Sequence, residues 1–191
     1  MKLIGLTGNA GSGKSTVRKF YEDKGVPCLD ADLIAHEIYQ RDSVLVARLV
    51  DVFGVEILDQ DEQISRPQLA TIAFANQSST ELLNNIVHPA IFEQIQAWID
   101  SQRQLNPQPD QIIIEATLMI EAGRAEFYDE IWVVTVDEQI QLERLRDRGW
   151  SDSEIQNRLS KQLPQTQKTQ FAAKVIENNE NIQKLFLSLA L

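Results

Sequence analysis

The chain has 191 residues, 43% of them hydrophobic, enough for one packed α/β domain with insertions and too apolar for a disordered chain. A formal net charge of −10 argues against a general nucleic-acid binder, which needs a basic face, and no apolar run approaches the ~20 residues of a membrane span. The single cysteine, Cys28, excludes an internal disulfide and suits a reducing cytoplasm, and with this charge any anionic substrate has to be met by local clusters of Arg and Lys.

The first apolar stretch, Met1 to Leu6, is too short for a signal peptide and runs straight into a glycine loop. Leu3, Ile4 and Leu6 read as a buried parallel strand. Gly8-Asn9-Ala10-Gly11-Ser12-Gly13-Lys14-Ser15 then fits G-x-x-x-x-G-K-[ST], the Walker A or P-loop pattern. A triphosphate needs many donors at close range, and glycines let the backbone adopt positive φ and approach it. The amides of residues 9 to 15 are expected to form a concave nest at a helix N-terminus, with Thr16 beside them. Lys14 would reach the β- and γ-phosphates and the Ser15 hydroxyl would coordinate Mg²⁺. Val17, Phe20 and Tyr21 follow at helical spacing as far as Gly25, so strand, loop and helix supply the setting that the motif requires.

Val26 to Leu29 read as a second strand, with Cys28 as a packing residue, running into Asp30-Ala31-Asp32. Carboxylates at a parallel strand's C-terminal end sit where open α/β sheets place ligands. If the strand persists, Asp30 and Asp32 face the same side; alternatively one of them caps the helix that carries Leu33, Ile34 and Ile38. From about 33 to 105 the pattern is helical. Leu45, Leu49, Val50 and Phe53 form a stripe closed by Gly54, Asp59-Gln60-Asp61 is a turn, and Ser65 can cap a helix bearing Leu69, Ile72 and Phe74. A further helix is expected to begin near Pro89, burying Ile91, Ile95, Trp98 and Ile99. This region is far longer than a simple crossover and is a candidate substrate-binding insertion.

Asn106 to Asp110 is a break, and Ile112-Ile113-Ile114-Glu115 is a buried strand ending in a carboxylate. Glu115 is either an acid that holds Mg²⁺ through water, as in Walker B sites, or an ordinary strand-end charge. Ile131 to Val134 make a fourth strand, and Ile140, Leu142 and Leu145 lie on a helix ending near Gly149. Arg144 and Arg148 share a face of it, whereas Arg146 does not. Ser151 to Glu154 fit a capping box before a helix with Ile155, Leu159 and Leu163, which also carries Arg158 and Lys161. This basic helix pair reads as a lid over phosphates or as a solvated charged surface. Val175-Ile176 form a last strand, followed by an amphipathic helix through Ile182, Leu185, Phe186 and Leu189.

Taken together these residues resemble the dephospho-coenzyme A kinases, part of the nucleoside-monophosphate-kinase-like P-loop group. The resemblance covers most of the chain: the P-loop with Thr16 and Val17, Leu29 to Asp32 with His36, Phe53-Gly54, Arg66 with Leu69, and His88-Pro89 with Ile91. It continues through Glu115 to Glu121, Gln141-Leu142 with Arg144 and Arg148, Arg158 with Gln162, and Val175-Ile176 with Asn178. The D-A-D-x-x-x-H and H-P-x-I elements in this order are more specific than the P-loop alone. The resemblance implies one α/β domain, a three-layer P-loop core with a five-stranded parallel sheet (about 1–32, 110–140 and 172–191). It also implies a helical coenzyme-A-binding insertion (about 33–105) and a helical lid (about 141–170). The implied reaction is ATP-dependent phosphorylation of the ribose 3′-hydroxyl of dephospho-coenzyme A, with Mg²⁺ and with no nucleic-acid or membrane partner. Asp32 would be the general base, Lys14, Arg144 and Arg148 would serve the transferring phosphoryl group, and Asp30, Asp32, His36, His88 and Glu115 would line the substrate site. Asn9-Ala10, Thr117, Lys174 and Glu180 depart from the common pattern, the last two near the expected adenine position.

A kinase of another small alcohol or nucleotide would share the first strands and differ in the insertion. A GTPase-like switch fits poorly, since Asp51-Val52-Phe53-Gly54 matches D-x-x-G inside a helical stripe and N-K-x-D is missing.

Overall fold

The apolar runs become one parallel sheet in the computed structural model, which describes residues 1–190. The elements are β1 (Lys2–Gly8), α1 (Lys14–Glu22), β2 (Cys28–Asp30), α2 (Ala31–Arg41), α3 (Ser43–Phe53), α4 (Arg66–Ala73), α5 (Gln77–Arg103) and β3 (Gln111–Glu115). There follow β4 (Glu130–Thr135), α6 (Glu138–Asp147), α7 (Asp152–Leu159), α8 (Gln165–Lys168), β5 (Lys174–Glu177) and α9 (Ile182–Leu189). The strand order is β2-β3-β1-β4-β5, all parallel, so β1 lies between β3 and β4 with the glycine loop at its C-terminal end.

Period-two alternation divides the strand side chains between the two faces. Ile4, Leu6, Ile113, Trp132, Val134 and Ile176 pack with Val17, Phe20 and Tyr21 of α1 and with Leu185 and Leu189 of α9. Ile131 and Val133 point the other way, against Met119 and Ile120, with Tyr128 and Leu163 packed alongside. Both faces are apolar, as expected of a parallel sheet covered on each side.

The chain divides into two compact units, residues 1–30 with 102–191 and residues 31–101. The second is helical around its own core, which includes Ile38, Leu45, Leu49, Ile57, Leu69 and Leu83. Asp42 caps α3, its Oδ1 accepting from the Leu45 amide at 2.9 Å, and the Asp59 carboxylate closes the expected turn through the amides of Asp61 and Gln63.

Three local expectations are corrected and one open alternative is decided. The helix expected to start near Pro89 starts at Gln77 and carries Pro89 in its interior. Asn85, His88 and Pro89 are exposed, so the carbonyl left without an N–H partner by the proline lies on the solvent flank. Ser65 stands at the N-cap of α4 but makes no side-chain cap bond; Pro67, two residues on, has no N–H for it to serve. Of the two placements open for Asp30 and Asp32 the structure takes the helical one: β2 ends at Asp30 and α2 begins at Ala31, so they belong to different elements. Asp32 falls in the first turn of α2, where a carboxylate complements the helix dipole. α7 stops at Leu159, and Leu163 leaves the helix to join the core under β4.

Candidate active site

The glycine loop is shaped by two close approaches. Gly8 pairs with Val134 across the sheet, and a Cβ there would stand 2.3 Å from the Val134 carbonyl oxygen. Gly13, at φ +95°, is the N-cap residue of α1; its Cβ would meet Asn178 Nδ2 at 2.2 Å. That asparagine, buried just past β5, donates to the Ser12 carbonyl at 2.8 Å and so supports the loop from beneath. Gln141 donates to the Ala10 carbonyl at 2.6 Å, and Asn9 Nδ2 donates to the Leu163 carbonyl at 3.2 Å.

The cradle is narrower than the run of amides 9 to 15 suggests. The Ala10 amide donates to Gln162 Oε1 at 3.0 Å and the Ser12 amide to the Asn9 carbonyl at 3.1 Å. Lys14 is buried, with Nζ 3.4 Å from the Asn9 carbonyl oxygen, while Ser15 presents an exposed residue at the start of α1.

Around this floor lies a cavity of about 220 Å³ lined by Ala10, Gly11, Gly13, Lys14, Ser15, Glu115 and Thr117, with Arg148, Trp150 and Arg158. A second, of about 200 Å³, shares Gly11, Gly13 and Arg148 and adds Thr16, Arg144, Asn178 and Glu180. Arg144 and Arg148, one helical turn apart, thus both border the glycine loop. Arg144 Nη1 is buried without a hydrogen-bond partner. Burial, and then the charge of Arg148, hold its pKa below the usual arginine range. A donor left in that condition is stabilised by an incoming anion.

Glu115 is 6% exposed at the end of β3 and in register with Asp30 at the end of β2. Burial pushes its carboxyl pKa up, opposed by a 2.8 Å hydrogen bond from Arg18 Nε and by the charge of Lys14. Arg18 reaches Glu22 at 2.5 Å and Asp30 at 3.5 Å as well, so one guanidinium holds the carboxylates of two strand ends. Arg18 was missed in the sequence; its spacing of four from Lys14 was the available signal. Asn178 and Gln162 carry no sequence signal beyond the family resemblance.

The remaining expected residues lie on the helical unit. Asp32 and His36 are exposed on α2, and His36 contacts the Arg66 guanidinium at the start of α4. His88 is exposed on α5, immediately before Pro89. The glycine loop, Lys14, Ser15, Glu115, Arg144 and Arg148 are brought together at the C-terminal edge of the sheet.

Among the described residues no three His, Cys, Asp or Glu side chains converge into a metal site. The Ser15 hydroxyl and the Glu115 carboxylate on one cavity are a donor set that suits Mg²⁺, a hard cation that takes most of its oxygens from phosphates and water. No helix among these residues is long and apolar enough to cross a membrane.

A sequence model of the dephospho-CoA kinase family matches residues 2–184. A dephospho-CoA kinase of Oceanobacillus iheyensis is 36% identical over 188 residues, spanning 98% of this chain and 94% of that protein. The solved structure of a Thermus thermophilus protein is similar with a TM-score of 0.83 and 26% identity, over 99% of this chain and 94% of its own. A dephospho-CoA kinase of Campylobacter jejuni shares the fold with a TM-score of 0.73 at 23% identity, over 98% of this chain and 93% of its own.

Proposed function

The chain belongs to the dephospho-CoA kinase family, the enzymes of the last step of coenzyme A biosynthesis, and from that premise we propose how its residues divide the work. ATP gives its γ-phosphoryl group to the ribose 3′-hydroxyl of dephospho-coenzyme A; coenzyme A and ADP leave, and one proton is released. The observation that carries the assignment of roles is the cavity in which Lys14, Ser15, Glu115, Arg148 and Arg158 meet over the glycine loop.

The loop amides and Lys14 bind the β- and γ-phosphates and keep them in line with the acceptor. Arg144 and Arg148 oppose the charge that develops on the transferring group. Asp32 accepts the hydroxyl proton and orients the oxygen, and Asp30 and Glu115 are held by Arg18 in an arrangement that supports the acceptor side of the site. Ser15, with Glu115 acting through water, would hold Mg²⁺, which supplies charge neutralisation on the β- and γ-phosphates. The helical region of about 33–105 is the coenzyme-A-binding insertion, with His36 and His88 among its substrate-binding residues, and residues of about 141–170 form the lid. The soluble setting is the cytoplasm, and neither nucleic acid nor a membrane is a partner.

Turnover of dephospho-coenzyme A, adenosine, AMP and shikimate at saturating Mg-ATP tests the reading. Dephospho-coenzyme A should be preferred in kcat as well as KM, because binding energy from its remote pantetheine arm positions the hydroxyl. Equal turnover of adenosine would refute a dedicated site for that arm.

A further inference from the structure

Trp150 sits in the turn between α6 and α7, and Arg158 on the last turn of α7; both line the cavity floored by the glycine loop. The Arg158 guanidinium carbon stands 4.4 Å from the centroid of the Trp150 ring. Glu154, one helical turn before Arg158 on the same helix, is close enough to feel its charge but makes its hydrogen bonds elsewhere. Its carboxylate takes the Ser151 amide at 2.8 Å and the Ser151 hydroxyl at 2.6 Å in the capping box that starts α7. The capping box fixes where α7 begins, and the indole face fixes where the exposed arginine at its end points.

An exposed arginine has several rotatable bonds whose freedom must be given up when its guanidinium fork engages a phosphate. Stacking on an indole face removes part of that freedom before the anion arrives, and it leaves the edge N–H groups available because the ring occupies only the face. We propose that Trp150 is a positioning residue for phosphoryl transfer: it holds the Arg158 guanidinium over the phosphate cavity before nucleotide binds. This inference rests on the reading that the cavity takes the phosphates of ATP. In this proposal Trp150 acts through Arg158, whose guanidinium it positions.

The test is a double-mutant cycle on kcat and on KM for ATP, with W150A, R158A and W150A/R158A beside the wild type, and with W150F as the conservative variant. W150A should lower kcat about three- to tenfold, in keeping with a partly exposed cation–π pair, and W150F should restore most of it. R158A should lose more, and adding W150A to R158A should change kcat no further. The same fold-loss from W150A in both backgrounds would overturn the inference while leaving the phosphate cavity standing. Wild-type kinetics in R158A would overturn both the phosphate role of Arg158 and the inference built on it. Thermal melting is recorded in parallel; should W150A unfold, W150L takes its place in the cycle with the same criteria.

Discussion

Gly13→Ala is the substitution for which the geometry gives the clearest magnitude. Gly13 has φ +95°, and an L-residue held in the left-handed region is disfavoured by about 1–2 kcal/mol. The new Cβ would stand 2.2 Å from Asn178 Nδ2, so the asparagine has to swing away and give up its 2.8 Å bond to the Ser12 carbonyl. Losing that bond in a buried setting adds about 1–3 kcal/mol. The sum, about 2–5 kcal/mol, corresponds to a melting temperature lowered by roughly 5–20 °C for a chain of this size. Nucleotide binding should suffer as well, since Gly13 borders both cavities, so ATP should raise the melting temperature of the variant less than that of the wild type. Differential scanning calorimetry with and without ATP measures both effects. Adding Asn178→Ala should relieve the clash but leave both the φ strain and the unpaired Ser12 carbonyl, returning at most a small part of the loss. A Gly13→Ala protein that melts within about 2 °C of wild type and is stabilised equally by ATP would refute the account of the loop.

The two carboxylates beside β2 are separable. Asp32→Asn should lower kcat by about 10²- to 10⁴-fold with ATP affinity by calorimetry nearly unchanged, the signature of a lost general base; Asp30→Asn, which weakens the ion pair with Arg18, should lose less activity. The reverse order would exchange their roles. Lys168 is fully buried, with Nζ 2.7 Å from the Thr117 carbonyl oxygen and 3.0 Å from Glu121 Oε1. Lys168→Met strands the Glu121 charge and should destabilise by about 3 kcal/mol in urea unfolding, with partial recovery in Lys168→Met/Glu121→Gln; a neutral single variant would contradict this. Burial pushes the Cys28 thiol up to about 12 from a reference of 9.0, so iodoacetamide at neutral pH should alkylate the native protein far more slowly than the urea-unfolded one. Because the folded pKa is the higher, the unfolded chain loses this proton first, and stability should fall as pH rises from 9.0 towards 12 and be indifferent to Cys28 below that window.

What could be read directly from the chain was what depends on neighbours in sequence. Ile112 to Ile114 and Ile131 to Val134 announce buried strands because a parallel sheet needs apolar side chains on both faces. The spacing of Gly8, Gly13, Lys14 and Ser15 announces a phosphate loop because its backbone conformation is local, and the Ser151–Glu154 capping box closes within one turn. Pro89 misled because a proline inside a helix is tolerated better where solvent can meet its freed carbonyl, and exposure is a tertiary property. Whether Asp30 and Asp32 share a strand face or one of them opens a helix stayed undecided in sequence, because period-two alternation does not say where a strand stops. The supports of the site, Asn178 under Ser12, Gln162 on Ala10, Arg18 across Glu115 and Asp30, and Trp150 against Arg158, left little or no mark in sequence. The first two join residues more than a hundred positions apart and Arg18 meets Glu115 from nearly as far, and such pairs are chosen by strand order and crossover path. No local propensity encodes that order, so which side chains meet across the glycine loop was decided only when the sheet closed around β1.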